Sequence, residues 1–123
     1  MNAVNVARAL AVGRVAIGAA LVVAPKLVGT SWVGEDASRG SVQVLARALG
    51  VRDMAMGLIA LHTAAHPQVG PRWQRTLAGC DAVDLAGTLL ARRSLPPRGV
   101  AGVAAIAGTA IAGELWAASK LAA

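Results

Sequence analysis

The chain has 123 residues, 56% of them hydrophobic and only 15% charged, with a formal net charge of +6. That length is one domain's worth. The balance excludes a disordered segment and an ordinary soluble enzyme, in which about a quarter of residues are charged. A single cysteine, Cys80, excludes an intramolecular disulfide framework and a cysteine-based zinc cluster. Phe and Tyr are absent and the basic residues are dispersed, so the positive charge does not describe a nucleic-acid surface.

Four apolar segments follow one another. The first covers about residues 4–24 and stops at Pro25-Lys26; a polar loop from Gly29 to Asp36 follows. Arg14 in the middle of this segment argues against a cleaved signal peptide. The second covers about residues 41–65, with Ser38 or Ser41 as its expected cap, and stops at His66-Pro67. The third covers about residues 73–92. The paired prolines of Arg93-Ser-Leu-Pro-Pro-Arg98 interrupt the chain before the fourth, about residues 99–119. Each segment is about 20 residues, or about 30 Å as a helix, which is the hydrocarbon thickness of a bilayer. Alanine and leucine dominate, and both favour helix. The expected fold is therefore all-α: an antiparallel bundle of four transmembrane helices forming one domain, multi-pass in the plasma membrane. A soluble alanine-rich bundle would carry a polar stripe on every helix. The stretch from Gly99 to Gly113 has no charge and one hydroxyl, Thr109. Trp32, Trp73 and Trp116 fall at segment ends, where an indole sits at headgroup level. Basic residues outside the spans divide nearly evenly between the two faces, which leaves orientation open.

Away from their ends the spans hold seven charged residues: Arg14, Arg47, Arg52, Asp53, Asp81, Asp84 and Glu114. A charge facing lipid costs about 2.5–3.5 kcal/mol on insertion scales, so these groups are expected to turn inward and pair. At about 1.5 Å per residue, Arg14, Arg52, Asp53, Asp81 and Asp84 all fall about 12–17 Å from the face that carries the termini. They form the candidate intramembrane polar cluster. Asp81 and Asp84 share a helix face that Thr88 continues, and one guanidinium is expected to bridge the two carboxylates. Glu114 and Arg47 lie nearer the interfaces, within snorkelling reach.

Other patterns point to no site. His62 and His66 stand at i and i+4, but the intervening Thr-Ala-Ala lacks the glutamate of a metalloprotease helix. Two histidines fall short of the three protein ligands a zinc site needs. Asp81-Ala-Val-Asp84 is deep and arginine-matched rather than displayed to a metal-bound diphosphate. No nucleotide-binding glycine motif or nucleophile elbow is present. No metal and no cofactor is expected. Ala101, Ala105, Thr109 and Gly113 form a small-residue stripe suited to close helix contact, as does the Gly13 and Gly18 region. The alanine, glycine and arginine content is that of a high-GC, actinobacterial-like genome.

The run from Leu49 to Leu58, Leu-Gly-Val-Arg-Asp-Met-Ala-Met-Gly-Leu, precedes Asp81-Ala-Val-Asp84 by about 30 residues. This pairing resembles a family of small four-span bacterial and fungal membrane proteins of unknown function. The resemblance covers nearly the whole chain and implies membrane location. It places Gly50, Arg52, Asp53, Gly57, Asp81 and Asp84 on the shared pattern.

Three functions fit these features. One is a structural or accessory membrane protein whose Arg/Asp network sets packing or recruits a partner, either a second copy or another membrane protein. The second is a membrane-embedded acid–base enzyme, or a binding protein for a lipophilic ligand, with Asp81 or Asp84 as acid or base and Arg52 orienting it. The third is a proton-coupled carrier. Short loops and the lack of a nucleophile–base–orienter set favour the first.

Overall fold

The computed structural model describes residues 1–123 and contains five α-helices and no strand. They are α1 (Ala3–Val23), α2 (Pro25–Val33), α3 (Gly40–Thr63), α4 (Val69–Leu90) and α5 (Pro97–Leu121). The chain is thus all-α, and its four long helices cover the four apolar segments. The fifth element, α2, replaces the start of the expected polar loop. Pro25 ends α1 but also opens α2, because its fixed φ suits a first helical turn and its missing N–H is not needed there. Gly34, at φ 73°, ends α2 in a conformation that side chains other than glycine resist. Neither serine caps α3. Its N-cap is Arg39, while Ser38 closes a short 3₁₀ turn and Ser41 lies inside the helix. At the start of α1, Asn2 accepts the Val4 backbone N–H at 2.9 Å.

Consecutive long helices run antiparallel. On α1 and α3, Gly18 lies against Gly50, and Gly57 lies against Ala11 and Val15. Residue numbers therefore fall on one helix as they rise on the other. On α1 and α5, Gly113 faces Leu10 while Ala117 packs with Ala7. The helix α1 packs mainly on α3, α4 mainly on α5, and α1 also meets α5; α3 and α4 share only a narrow contact.

Glycines decide how near α1 and α3 come. A Cβ on Gly18 would lie 2.5 Å from the Gly50 carbonyl oxygen, and one on Gly57 would lie 2.9 Å from that of Ala11. These helices meet backbone to backbone. Of the expected small-residue stripes, only Gly18 and Gly113 pack. Ala101, Ala105 and Thr109 are exposed on the outside of α5, and Gly13 faces open space.

The interior is built from small residues. Ala7, Ala64 and Ala117 form one core cluster, and Ala11, Ala60 and Leu77 form another. The larger side chains point outward: Val44, Leu45, Val83, Leu90 and Ile106 are each more than 60% exposed. Arg14, Asp53, Gln74, Asp81, Thr88 and Glu114 are buried instead. Two helices, α1 and α5, are long and apolar enough to cross a membrane.

The close approach makes a graded prediction. Gly50→Ala should destabilise the fold by about 1–3 kcal/mol, since the added methyl meets backbone that cannot yield. Gly13→Ala and Gly108→Ala, whose Cβ positions are open, should stabilise it by up to about 1 kcal/mol through helix propensity. Thermal unfolding followed by circular dichroism checks the order.

Candidate functional site

All four long helices contribute to one chain of charges. From α1, Arg14 donates through Nη2 to Asp81 Oδ2 at 2.5 Å and to Glu114 Oε1 at 2.9 Å. Its Nη1 reaches Asp53 Oδ1 at 3.5 Å. That same oxygen accepts from Arg52 Nη2 at 3.2 Å, and Arg52 Nη2 also donates to Asp84 Oδ2 at 2.9 Å. Carboxylates from α4 and α5 thus hold one guanidinium, Asp53 links it to a second, and Asp84 ends the chain.

Helix geometry explains why the groups meet. Side chains lean toward their helix's N-terminus. In antiparallel neighbours they therefore lean in opposite directions along the bundle axis. Arg14 inclines toward the end that carries the termini, while Glu114 inclines away from it. The offset in depth between them, about 6 Å by residue count, is closed from both sides. Arginine suits the central position because its planar fork serves several acceptors at once.

Every residue of the expected cluster (Arg14, Arg52, Asp53, Asp81 and Asp84) lies in this chain. The bridging differs from expectation: no single guanidinium joins Asp81 to Asp84, since Asp81 goes to Arg14 and Asp84 to Arg52. Residues three apart on a helix share a face but are separated along and around the axis. That separation suffices here to send them to different partners. Glu114 is not near the surface but fully buried, with its side chain 1% exposed. Reading depth from span ends alone missed it. The usable signal was its isolation, since it is the one charge between Arg98 and Lys120. Arg47 stays outside the cluster and donates to the Val22 carbonyl at 3.2 Å.

Burial grades along the chain. Arg14 and Glu114 are the dry end, whereas Arg52 and Asp84 have side chains 37% and 22% exposed. Beside Asp84 a cavity of about 320 Å³ opens between α2 and α4, walled by Trp32, Val33, Val83, Gly87 and Leu95. The indole N–H of Trp32 donates to Thr88 Oγ1 at 3.1 Å, and that hydroxyl donates to the Asp84 backbone carbonyl at 2.8 Å. Trp73 likewise donates inward, to the Met56 carbonyl at 3.0 Å. These two indoles tie elements together.

The histidines act separately. His62 contacts the Leu58 carbonyl, while His66 Nδ1 accepts the backbone N–H groups of Gln68 and Val69 and so caps the start of α4. Cys80 is a free, partly buried thiol. No three His, Cys, Asp or Glu side chains converge in a geometry suited to a metal.

The chain matches no known protein-family model, no curated protein and no solved structure.

Pairing between Arg52 and Asp84 has a measurable signature. Asp84→Asn and Arg52→Leu should each destabilise the fold, and the double variant should lose less than the sum of the two. A coupling of about 0.5–3 kcal/mol is expected for residues in contact. Equilibrium unfolding of the four proteins in the cycle reads it directly.

Proposed function

We propose that the chain is a multi-pass plasma-membrane protein of structural or accessory type. Its four long helices cross the bilayer, and its ion-pair chain fixes their register. The observation that carries this reading is the inverted distribution of polarity: large aliphatic side chains cover the outside, while Arg14, Asp53, Asp81 and Glu114 are buried and the partly exposed Arg52–Asp84 pair joins them. Such a surface is unfavourable in water, and such an interior is the arrangement a bilayer imposes. The sequences of α3 and α4 are less apolar than those of α1 and α5. Their charges at mid-depth are Arg52, Asp53, Asp81 and Asp84, and pairing them removes most of the cost of placing them in hydrocarbon. The helices are 21–25 residues long, about 31–38 Å, which suits a bilayer core with modest tilt.

The resemblance to small four-span membrane proteins supports the same reading, because every residue of the shared pattern has work in this fold. Arg52, Asp53, Asp81 and Asp84 form the charge chain, and Gly50 and Gly57 let α3 touch α1. The accessory role draws on the narrow α3–α4 contact. There the half-exposed Arg52–Asp84 pair reaches the protein surface, where a helix of a partner protein or of a second copy would shield it from lipid.

A second reading rests on the cavity at Asp84. An apolar hollow with one carboxylate at its wall suits a lipophilic ligand bearing a hydrogen-bond donor, and Asp84 is then the group that engages it.

Topology tests the first reading. Reporters fused after residues 36, 67, 94 and 123 should alternate between the two sides of the membrane, and alkaline washing should leave the protein in the membrane fraction. Release into the wash would overturn it. For the second, mass spectrometry of lipid extracts should find a compound that co-purifies with the protein and is lost on Gly87→Trp, which fills the cavity.

A further inference from the structure

We infer that Glu114 is a buried proton-binding site, carrying a proton on Oε2 that it donates to the side-chain carbonyl of Gln74. Three observations lead there. The first is the charge count. The network sets four carboxylates, Asp53, Asp81, Asp84 and Glu114, against two guanidiniums, Arg14 and Arg52. In a low dielectric, carboxylates in excess of their cations do not all remain ionised. The second is crowding at one atom. Asp81 and Glu114 both approach Arg14 Nη2, so the dry end holds two acids on a single nitrogen. One proton makes Arg14, Asp81 and Glu114 neutral as a group.

The third observation selects Glu114 over Asp81. Glu114 Oε2 and Gln74 Oε1 are both fully buried, and neither has a hydrogen-bond partner. Both residues are 1% exposed. Two acceptors without donors are an unsatisfied pair, and one added proton satisfies both. The topology places them at one level of two helices packed on each other. Gln74 on α4 and Glu114 on α5 each lie about four and a half turns from the loop that joins these antiparallel helices. Charged groups beside Glu114 on the packed helices are Arg14 on α1 and, at the same Arg14 nitrogen, Asp81 on α4, with Asp53 on α3 beyond Arg14. None of them supplies a second cation. A bound metal ion does not serve instead, because no three acidic side chains converge as ligands.

Protonation leaves the outer half, Asp53, Arg52 and Asp84, with one excess negative charge. That half is the more exposed one, where solvent or a partner can compensate it. The proton resides where no such help exists. The site stands on the geometry of the cluster and does not depend on the accessory reading.

Infrared spectroscopy of the purified full chain in lipid at neutral pH tests the assignment. The chain has two glutamates, Glu114 and the exposed Glu35. A carbonyl stretch of a protonated carboxylic acid should appear, and it should move when glutamate is labelled with ¹³C at the carboxyl carbon. Neither step needs a variant. The band should vanish in Glu114→Gln, which mimics the neutral acid in size and should melt no lower than the parent. In Gln74→Leu it should shift to higher frequency as its hydrogen bond is lost. Absence of the band overturns the proposal, and means instead that the Gln74 amide is turned to donate to an ionised Glu114. A band that ignores the glutamate label overturns it too, and assigns the proton to an aspartate.

Discussion

The guanidinium of Arg14 is the interaction on which the other contacts depend. It sits on the first long helix and is held by acids on the other three: Asp53 on α3, Asp81 on α4 and Glu114 on α5. An unpaired charge at that depth costs several kcal/mol, so the helices must assemble in the one register that brings those acids to it. The surrounding core is mostly alanine, and alanine faces pack nearly as well after a slip of one turn. Small side chains therefore set distance, and charges set register. Polar groups inside helical assemblies are best attested in that role.

The two sides of the structure hold together by different means. Between α1 and α3 the glycines at 18, 50 and 57 bring backbones into contact, which gives dense dispersion attraction. Between α3 and α4 the contact is narrow. There, beside the packing of Leu77 with Ala60 and of Gly70 on the end of α3, the polar links are Arg52–Asp84, Arg14 acting as an intermediary between Asp53 and Asp81, and the Trp73 indole on the Met56 carbonyl. Hydrogen bonds to ionised groups are directional and tolerate a gap that apolar packing does not. Charges therefore do in one seam what close packing does in the other.

Much of this was legible in the residues. Helices followed from apolar length and from punctuation at Pro67, Pro96 and Pro97. The cluster followed from shared depth, because rise per residue is nearly constant and charges inside an apolar run must converge. What the sequence hid was local. Pro25 both ends and begins a helix, and only the chain's need to turn back decides that it does both here. Depth counted along its own helix puts Glu114 too near the surface. Its real position depends on the lean of its side chain and of Arg14, which are properties of an antiparallel pair. The division of Asp81 and Asp84 between two arginines depended on where α1 and α3 lie around α4, and no spacing within α4 contains that information.

The gradient of exposure along the charge chain limits where the molecule can respond to a partner. At the Glu114 end every neighbour is packed, and Gly113 lies against Leu10. Movement there would strand a charge in a dry interior. At the Asp84 end the carboxylate borders a cavity, the helix pair is loosely joined, and Gly79 and Gly87 have open space where a side chain would stand. Displacing Arg52 from Asp84 would still leave Arg52 held by Asp53. The outer pair can therefore be opened without unfolding the inner one. An incoming carboxylate would compete for Arg52, whereas an incoming donor would compete for Asp84, and either could be accepted while Arg14 keeps the four helices in register.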